Sequence, residues 1–385
     1  MLRNNRLLLF ITMTILILIG LVMIYSASYI WADYKFGDSL KYVKQQAIFI
    51  GLAFIILSIV LKLDSSFFYK YSKVFLIGSF ILLGLVLIPG VGVVRNGSRS
   101  WFGIGSFGIQ PSEAMKLALI ISCSKFLSIK TKAYKSVRGL LPILILTGFA
   151  FLLIMLQPDF GTGFILIMSI IALLFVSGVK NKYFVVLGIA LVCGATLLIL
   201  IAPYRLDRIT SFLNPWKDPL GTGFQIIQSL FAIGPGGLLG FGFLESRQKH
   251  FYLPEPQTDF IFSIICEEFG IIGAFVIICL FAILIYLIIR MALQEDDLFK
   301  KYVIFGLGFQ IIFQAILNLS VVIGLIPVTG VTLPFISYGG SSLLITVLSI
   351  GIILCLTKKE QINWSALSYF LLILLGLLLF LLIGM

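Results

Sequence analysis

Residues 7–25 read LLLFITMTILILIGLVMIY, an apolar run without a single charge. As an α-helix rising 1.5 Å per residue, a run of about 20 apolar residues crosses the roughly 30 Å hydrocarbon core of a bilayer. Comparable runs follow near 44–62, 74–92, 112–128, 140–156, 160–178, 183–202, 260–289, 303–325, 340–357 and 365–385. The composition agrees, with 60% hydrophobic and 11% charged residues and a mean hydropathy of +1.14, where soluble chains carry about 25% charged residues. The fold class expected is an all-α polytopic integral membrane protein, with ten transmembrane helices and the 21-mer Ser365–Met385 as an additional span. The first run lacks a small-residue cleavage site, and Tyr25-Ser26-Ala27-Ser28 continues into Tyr29-Ile30-Trp31, so it reads as a retained helix rather than a cleaved signal peptide.

Charge placement sets the expected orientation. With the N-terminus in the cytoplasm, most of the 28 Lys and Arg residues fall on the inner side, among them Arg3, Arg6, Lys62, Lys70, Lys73, Lys125, Lys180, Arg290, Lys300 and Lys358. The net charge of +12 is therefore a topology signal, with attraction to anionic lipid added. The basic residues are spread over short loops, which argues against nucleic-acid binding. The five cysteines lie inside apolar runs at spacings unsuited to a metal and read as small buried hydrophobes.

Two segments on the outer side are longer than a turn. Residues 93–111 contain Asn96-Gly97-Ser98-Arg99-Ser100-Trp101, and residues 203–259 are rich in aromatics, glycines and prolines. A loop that long in a compact protein is usually functional or disordered, and the aromatics argue for the former. Phe224–Ile233 reads as a short amphipathic or re-entrant helix. Gly103-Ile104-Gly105-Ser106-Phe107-Gly108 matches G-x-G-x-x-G, but lacks the preceding strand of a dinucleotide fold. The single histidine, His250, reads as a surface loop residue.

Ionisable groups at membrane depth are costly and are commonly functional or paired. Glu113 and Lys116 stand three residues apart at the start of a span and share a helix face, either as an ion pair or as a polar patch that offers a cation to an anionic substrate. Asp259 opens the eighth span after Pro254-Glu255-Pro256-Gln257-Thr258. There it is either a helix cap or a partly desolvated carboxylate whose raised pKa suits a general base. Asp159, after Gln157-Pro158, reads first as an N-cap. Glu267 and Glu268 read as structural partners for basic groups. Arg95, Arg99, Arg205, Arg208, Arg247 and Lys249 face outward, where arginines could grip a phosphate bidentately.

Together these segments resemble the SEDS family (shape, elongation, division, sporulation), over about residues 7–359. The resemblance rests on Asn96–Trp101, Gln110-Pro111-Ser112-Glu113-Ala114-Met115-Lys116, Gln157-Pro158-Asp159-Phe160-Gly161-Thr162, Ile233-Gly234-Pro235-Gly236-Gly237, Leu253 to Phe262 with Glu267-Glu268, and Pro334-Phe335-Ile336-Ser337-Tyr338-Gly339-Gly340-Ser341-Ser342. Asn214–Pro219 and the Pro-Glu-Pro-Gln-Thr-Asp form of the loop end are similar to the division and sporulation branch (FtsW, SpoVE). The resemblance implies one transmembrane glycosyltransferase domain over 1–359, with 360–385 as an added hydrophobic segment. It implies polymerisation of lipid II at the outer face of the bacterial cytoplasmic membrane, at the division septum, with a class B penicillin-binding protein and other divisome membrane proteins as partners. It implies Asp259 as the catalytic aspartate. With it go Lys116 and Arg99 as the cations that neutralise the diphosphate, Glu113 orienting Lys116, and Trp101 and Asp159 as further substrate-binding residues. No metal motif is visible, although Mg2+ or Mn2+ could assist the diphosphate. A lipid II flippase and a non-catalytic divisome scaffold are the competing functions. The polar motifs cluster on one side of the membrane, which favours a polymerase over a flippase.

Overall fold

The protein, seen here as a computed structural model, is described over residues 2–95, 97–104, 107–129, 136–201 and 210–357. Arg205, Arg208, Asn96 and the segment 365–385 lie outside the described residues. The apolar runs are helices: α1 (Leu2–Phe36), α2 (Lys41–Lys62), α3 (Ser66–Leu85), α4 (Pro111–Ile129), α5 (Val137–Met155), α6 (Phe160–Val176), α7 (Asn181–Ile201), α8 (Phe224–Ile233), α9 (Ile261–Leu293), α10 (Leu298–Val322) and α11 (Gly340–Leu356). Among the described residues, six are long and apolar enough to cross a membrane, and three more are shorter apolar helices. The chain is a multi-pass membrane protein. The third run begins earlier than its sequence suggests, at Ser66, because the Asp64 side chain takes the Ser66 amide (3.0 Å) and starts the helix there.

α10 lies at the centre. It packs on α9, α6, α4, α11 and α8, while α2 pairs with α11, α3 with α4 and α1 with α9. Burial follows the same order: α10 buries Val303, Ile304, Leu307 and Ile311 among others, whereas Ile77 and Ile81 of α3 stay on the outside of the bundle, where lipid replaces water. Cys123, Cys266 and Cys355 are buried as expected; Cys193 is exposed and Cys279 partly so. An outward-facing apolar thiol suits lipid as well as a core.

The segment 93–111, read from sequence as a loop, forms a three-stranded antiparallel sheet, β1 (Val93–Arg95), β2 (Ser98–Ile104) and β3 (Phe107–Ile109). The all-α bundle thus carries a small sheet at one end. The glycine run makes the β2–β3 hairpin, with Gly103 opposite Gly108, and not a dinucleotide loop. Ser98 Oγ donates to the Gln157 carbonyl and fastens the sheet to the turn before α6.

The α8 helix is amphipathic as expected. It buries Ile226, Ile227 and Ala232, and Ser229 Oγ donates to the Val322 carbonyl (2.7 Å) beside Ser263 Oγ (2.7 Å), which ties α8 to α9 and α10. α9 kinks at Gly270, where φ is 60° and ψ −155°, a region open essentially to glycine alone. A Cβ there would lie 2.5 Å from the Leu238 backbone. Gly270→Ala is therefore expected to destabilise the protein by roughly 2–3 kcal/mol. A thermal melt of the detergent-solubilised variant checks this; an unchanged midpoint would contradict it.

Candidate functional site

A cavity of about 1140 Å³ opens at the sheet end of the bundle. Four helices present their N-terminal ends or the residues just before them to it: Gln110 and Glu113 from α4, Asp159 and Thr162 from α6, Asp259 and Phe260 from α9, Gly339, Gly340 and Ser342 from α11. Each helix N-terminus carries a partial positive charge, which with Arg95 is set against the four carboxylates that line the cavity. The sheet contributes Arg95, Ser98, Ser100 and Trp101, and the stretch from Pro327 to Thr332 closes the side nearest α10.

Asp259 is half-buried in the wall of this cavity. It directly precedes Phe260, the N-cap position of α9. Its carbonyl accepts from Asn318 Nδ2 at 2.7 Å. Gly330, at φ 72°, lies beside its carboxylate: a Cβ there would stand 3.8 Å from Oδ2. Asp159 does cap its helix, accepting from the Thr162 amide (3.2 Å), and its second oxygen accepts from Gln110 Nε2 (2.6 Å). Burial pushes the Asp159 carboxyl up, with Glu113 adding to that and the Thr162 hydrogen bonds and Lys116 opposing it. The same residue therefore caps α6 and faces the cavity.

Glu113 and Lys116 form the ion pair expected of them, at 2.8 Å. Glu113 reaches the cavity, whereas Lys116 lies behind it, 1% exposed, with Gln314 Oε1 at 3.3 Å as a second partner. Lys116 thus acts on the cavity through its charge and through Glu113 rather than as a lining group. The sequence choice of Arg99 as a phosphate ligand also shifts. Arg99 pairs with Val94 in the β1–β2 ladder and is not among the described residues that line the cavity, whereas Val94, Ser98, Ser100 and Trp101 around it are. Arg95 lines the cavity in its place, its guanidinium 5.1 Å from the centre of the Trp101 ring.

Away from the cavity, Glu267 and Glu268 are structural, as read. Glu267 accepts from the backbone amides of Arg247 (2.9 Å) and Gln248 (3.3 Å), and Glu268 pairs with Lys249 at 2.9 Å. Lys249, read as one of the outward-facing cations, is buried.

The segments that meet at the cavity are far apart in sequence. The chain matches over residues 6–362 a family model described as "Cell cycle protein", that of FtsW, RodA and SpoVE. The chain belongs to this family. It is 52% identical over 356 residues to the stage V sporulation protein E of Bacillus subtilis (strain 168), covering 92% of this chain and 97% of that one. It is 40% identical over 342 residues to a probable peptidoglycan glycosyltransferase FtsW of Saccharophagus degradans, covering 88% of each. Among solved structures it is similar to a chain described under "Structural coordination of polymerization and crosslinking by a peptidoglycan synthase complex" (29% identity, TM-score 0.75, 91% of this chain and 98% of that one). It is also similar to the Thermus thermophilus rod shape determining protein RodA (26% identity, TM-score 0.68, 92% and 97%).

Within this FtsW/RodA/SpoVE chain, sequence reasoning passed over Gln314 and Asn318. Their signal was present: two amides four residues apart in an apolar helix, with Gln310 four residues earlier. Gly330 carried no sequence signal beyond being a glycine between valine- and threonine-rich neighbours.

Proposed function

We propose that the chain is a peptidoglycan glycosyltransferase that polymerises lipid II, with Asp259 as its general base. The observation that carries this reading is the cavity itself. It brings the half-buried Asp259 together with helix N-termini and Arg95, at the end of a membrane bundle where a lipid-linked diphosphate can enter with its tail still in hydrocarbon. The positive-inside pattern supports placing this end outside the cell, where a glycan must grow.

The 4-hydroxyl of a GlcNAc unit attacks the anomeric carbon of a MurNAc unit. A C–O bond forms, the bond from that carbon to the diphosphate oxygen breaks, and undecaprenyl diphosphate leaves with the electron pair. Asp259 takes the hydroxyl proton. A single displacement converts the α-linked donor to a β-1,4 product. Diphosphate is a good leaving group, so one base suffices where a glycosidase needs two carboxylates. Helix N-termini, Arg95 and the charge of Lys116 stabilise the developing diphosphate. Among the described residues no group of three His, Cys, Asp or Glu side chains could hold a metal ion.

A class B penicillin-binding protein is the proposed crosslinking partner, with other divisome membrane proteins around it and the septal membrane as the site of action. The similarity to a stage V sporulation protein and to an FtsW supports septal wall synthesis over side-wall elongation. Purified chain with its cognate penicillin-binding protein, transpeptidation blocked, is expected to convert lipid II into glycan strands resolvable by gel. Translocation of lipid II across vesicles without any polymer would instead support a flippase, and neither activity would support a scaffold.

A further inference from the structure

α10 runs through the centre of the bundle and carries Gln314 and Asn318 one turn apart on one face, 3% and 1% exposed. A buried amide is costly unless its hydrogen-bonding groups are matched. Asn318 Nδ2 donates to two carbonyls, Asp259 at 2.7 Å and Val331 at 2.8 Å. Only a nitrogen can face two carbonyl oxygens, so the amide orientation is forced, and both of its hydrogens are used. One turn earlier, Gln314 Nε2 donates to the Thr332 carbonyl (3.0 Å) while its Oε1 faces Lys116 Nζ (3.3 Å). The segment Val331–Thr332 is thus pinned to α10 twice, and Asn318 also ties α10 to the Asp259 backbone. Gly330, the neighbour of Val331, lies close to the Asp259 carboxylate: a Cβ there would stand 3.8 Å from Oδ2.

We infer that Asn318 is a positioning residue for the glycosyl transfer: through its two carbonyl contacts it fixes the Asp259 carboxylate relative to the 330–332 wall, where the attacking hydroxyl must lie. This rests on the reading of Asp259 as the base. A shift of about 1 Å in a reacting group can lower a rate by about a hundredfold, so the loss of an anchor shared by Asp259 and Val331 is expected to show in the rate. Gln314 still holds Thr332 when Asn318 is changed, so the wall keeps one of its anchors.

The test compares Asn318→Leu, Asn318→Asp and Asp259→Ala with the parent chain, each full length and co-purified with the cognate penicillin-binding protein. Lipid II polymerisation is followed per folded molecule, with folding judged by thermal melt. For Asn318→Leu, kcat is expected to fall at least about tenfold while KM stays within about twofold, the pattern of a misplaced base rather than lost substrate binding. Asn318→Asp keeps the side-chain volume but turns an ionised oxygen toward two carbonyls, and is expected to lose at least as much. It keeps the proposal testable if the leucine variant does not fold. Parental kcat in Asn318→Asp, or in a folded Asn318→Leu, overturns the inference. Loss in both Asn318 variants confined to a lower folded fraction, with kcat per folded molecule unchanged, also overturns it. Activity in Asp259→Ala would instead overturn the reading on which it rests.

Discussion

Asp259→Ala is expected to remain folded and to lose at least about a hundredfold in lipid II polymerisation, the scale of a positioned general base. The bond that Asn318 makes to this residue is to its backbone carbonyl, which alanine retains. What alanine removes is the carboxylate proposed to take the hydroxyl proton. Asp259→Asn sharpens the test, because it keeps shape and polarity and lacks only basicity; it is expected to fail as alanine does. The measurement is gel-resolved glycan from purified lipid II, with thermal melts of each variant alongside. Wild-type polymer from either folded variant would take Asp259 out of the mechanism.

The sequence was informative where physics acts through composition. A bilayer demands long apolar runs, so the helices were legible, and a charge placed in such a run draws attention because it is costly. Glu113, Asp159 and Asp259 were found that way, and all three meet at the cavity. The sheet escaped because two of its three strands span three residues and its glycines resemble loop. Arg99 was preferred to Arg95 because both are arginines of one short segment, and only the folded sheet shows that Arg95 lines the cavity and Arg99 is not among its described lining residues. Asn318 and Gln314 were overlooked because a neutral amide leaves the hydropathy of a helix nearly unchanged. Lys249 was read as solvated because nothing near it in sequence announces Glu268, nineteen residues on.

That pair carries the largest expected effect on stability. Lys249 and Glu268 are 1% and 0% exposed and 2.9 Å apart. Ser26 of α1 donates to the same Glu268 oxygen (2.5 Å), as does the Ser246 amide (3.4 Å). The pair therefore joins α1, α9 and the segment leading to Asp259. Removing one partner of a buried ion pair leaves an uncompensated charge and costs about 3–5 kcal/mol. Lys249→Met is expected to destabilise the protein on that scale, and Glu268→Gln comparably, since each strands the opposite charge. Combined, they leave no charge stranded, and the glutamine oxygen can still accept from Ser26 and Ser246. The double variant should thus be more stable than the sum of the singles implies, with a coupling of about 1–3 kcal/mol. Because the loosened segment ends at Asp259, turnover should fall in the singles and partly return in the double. Detergent unfolding curves of the four proteins measure the coupling; additive losses would show that the two charges do not hold each other.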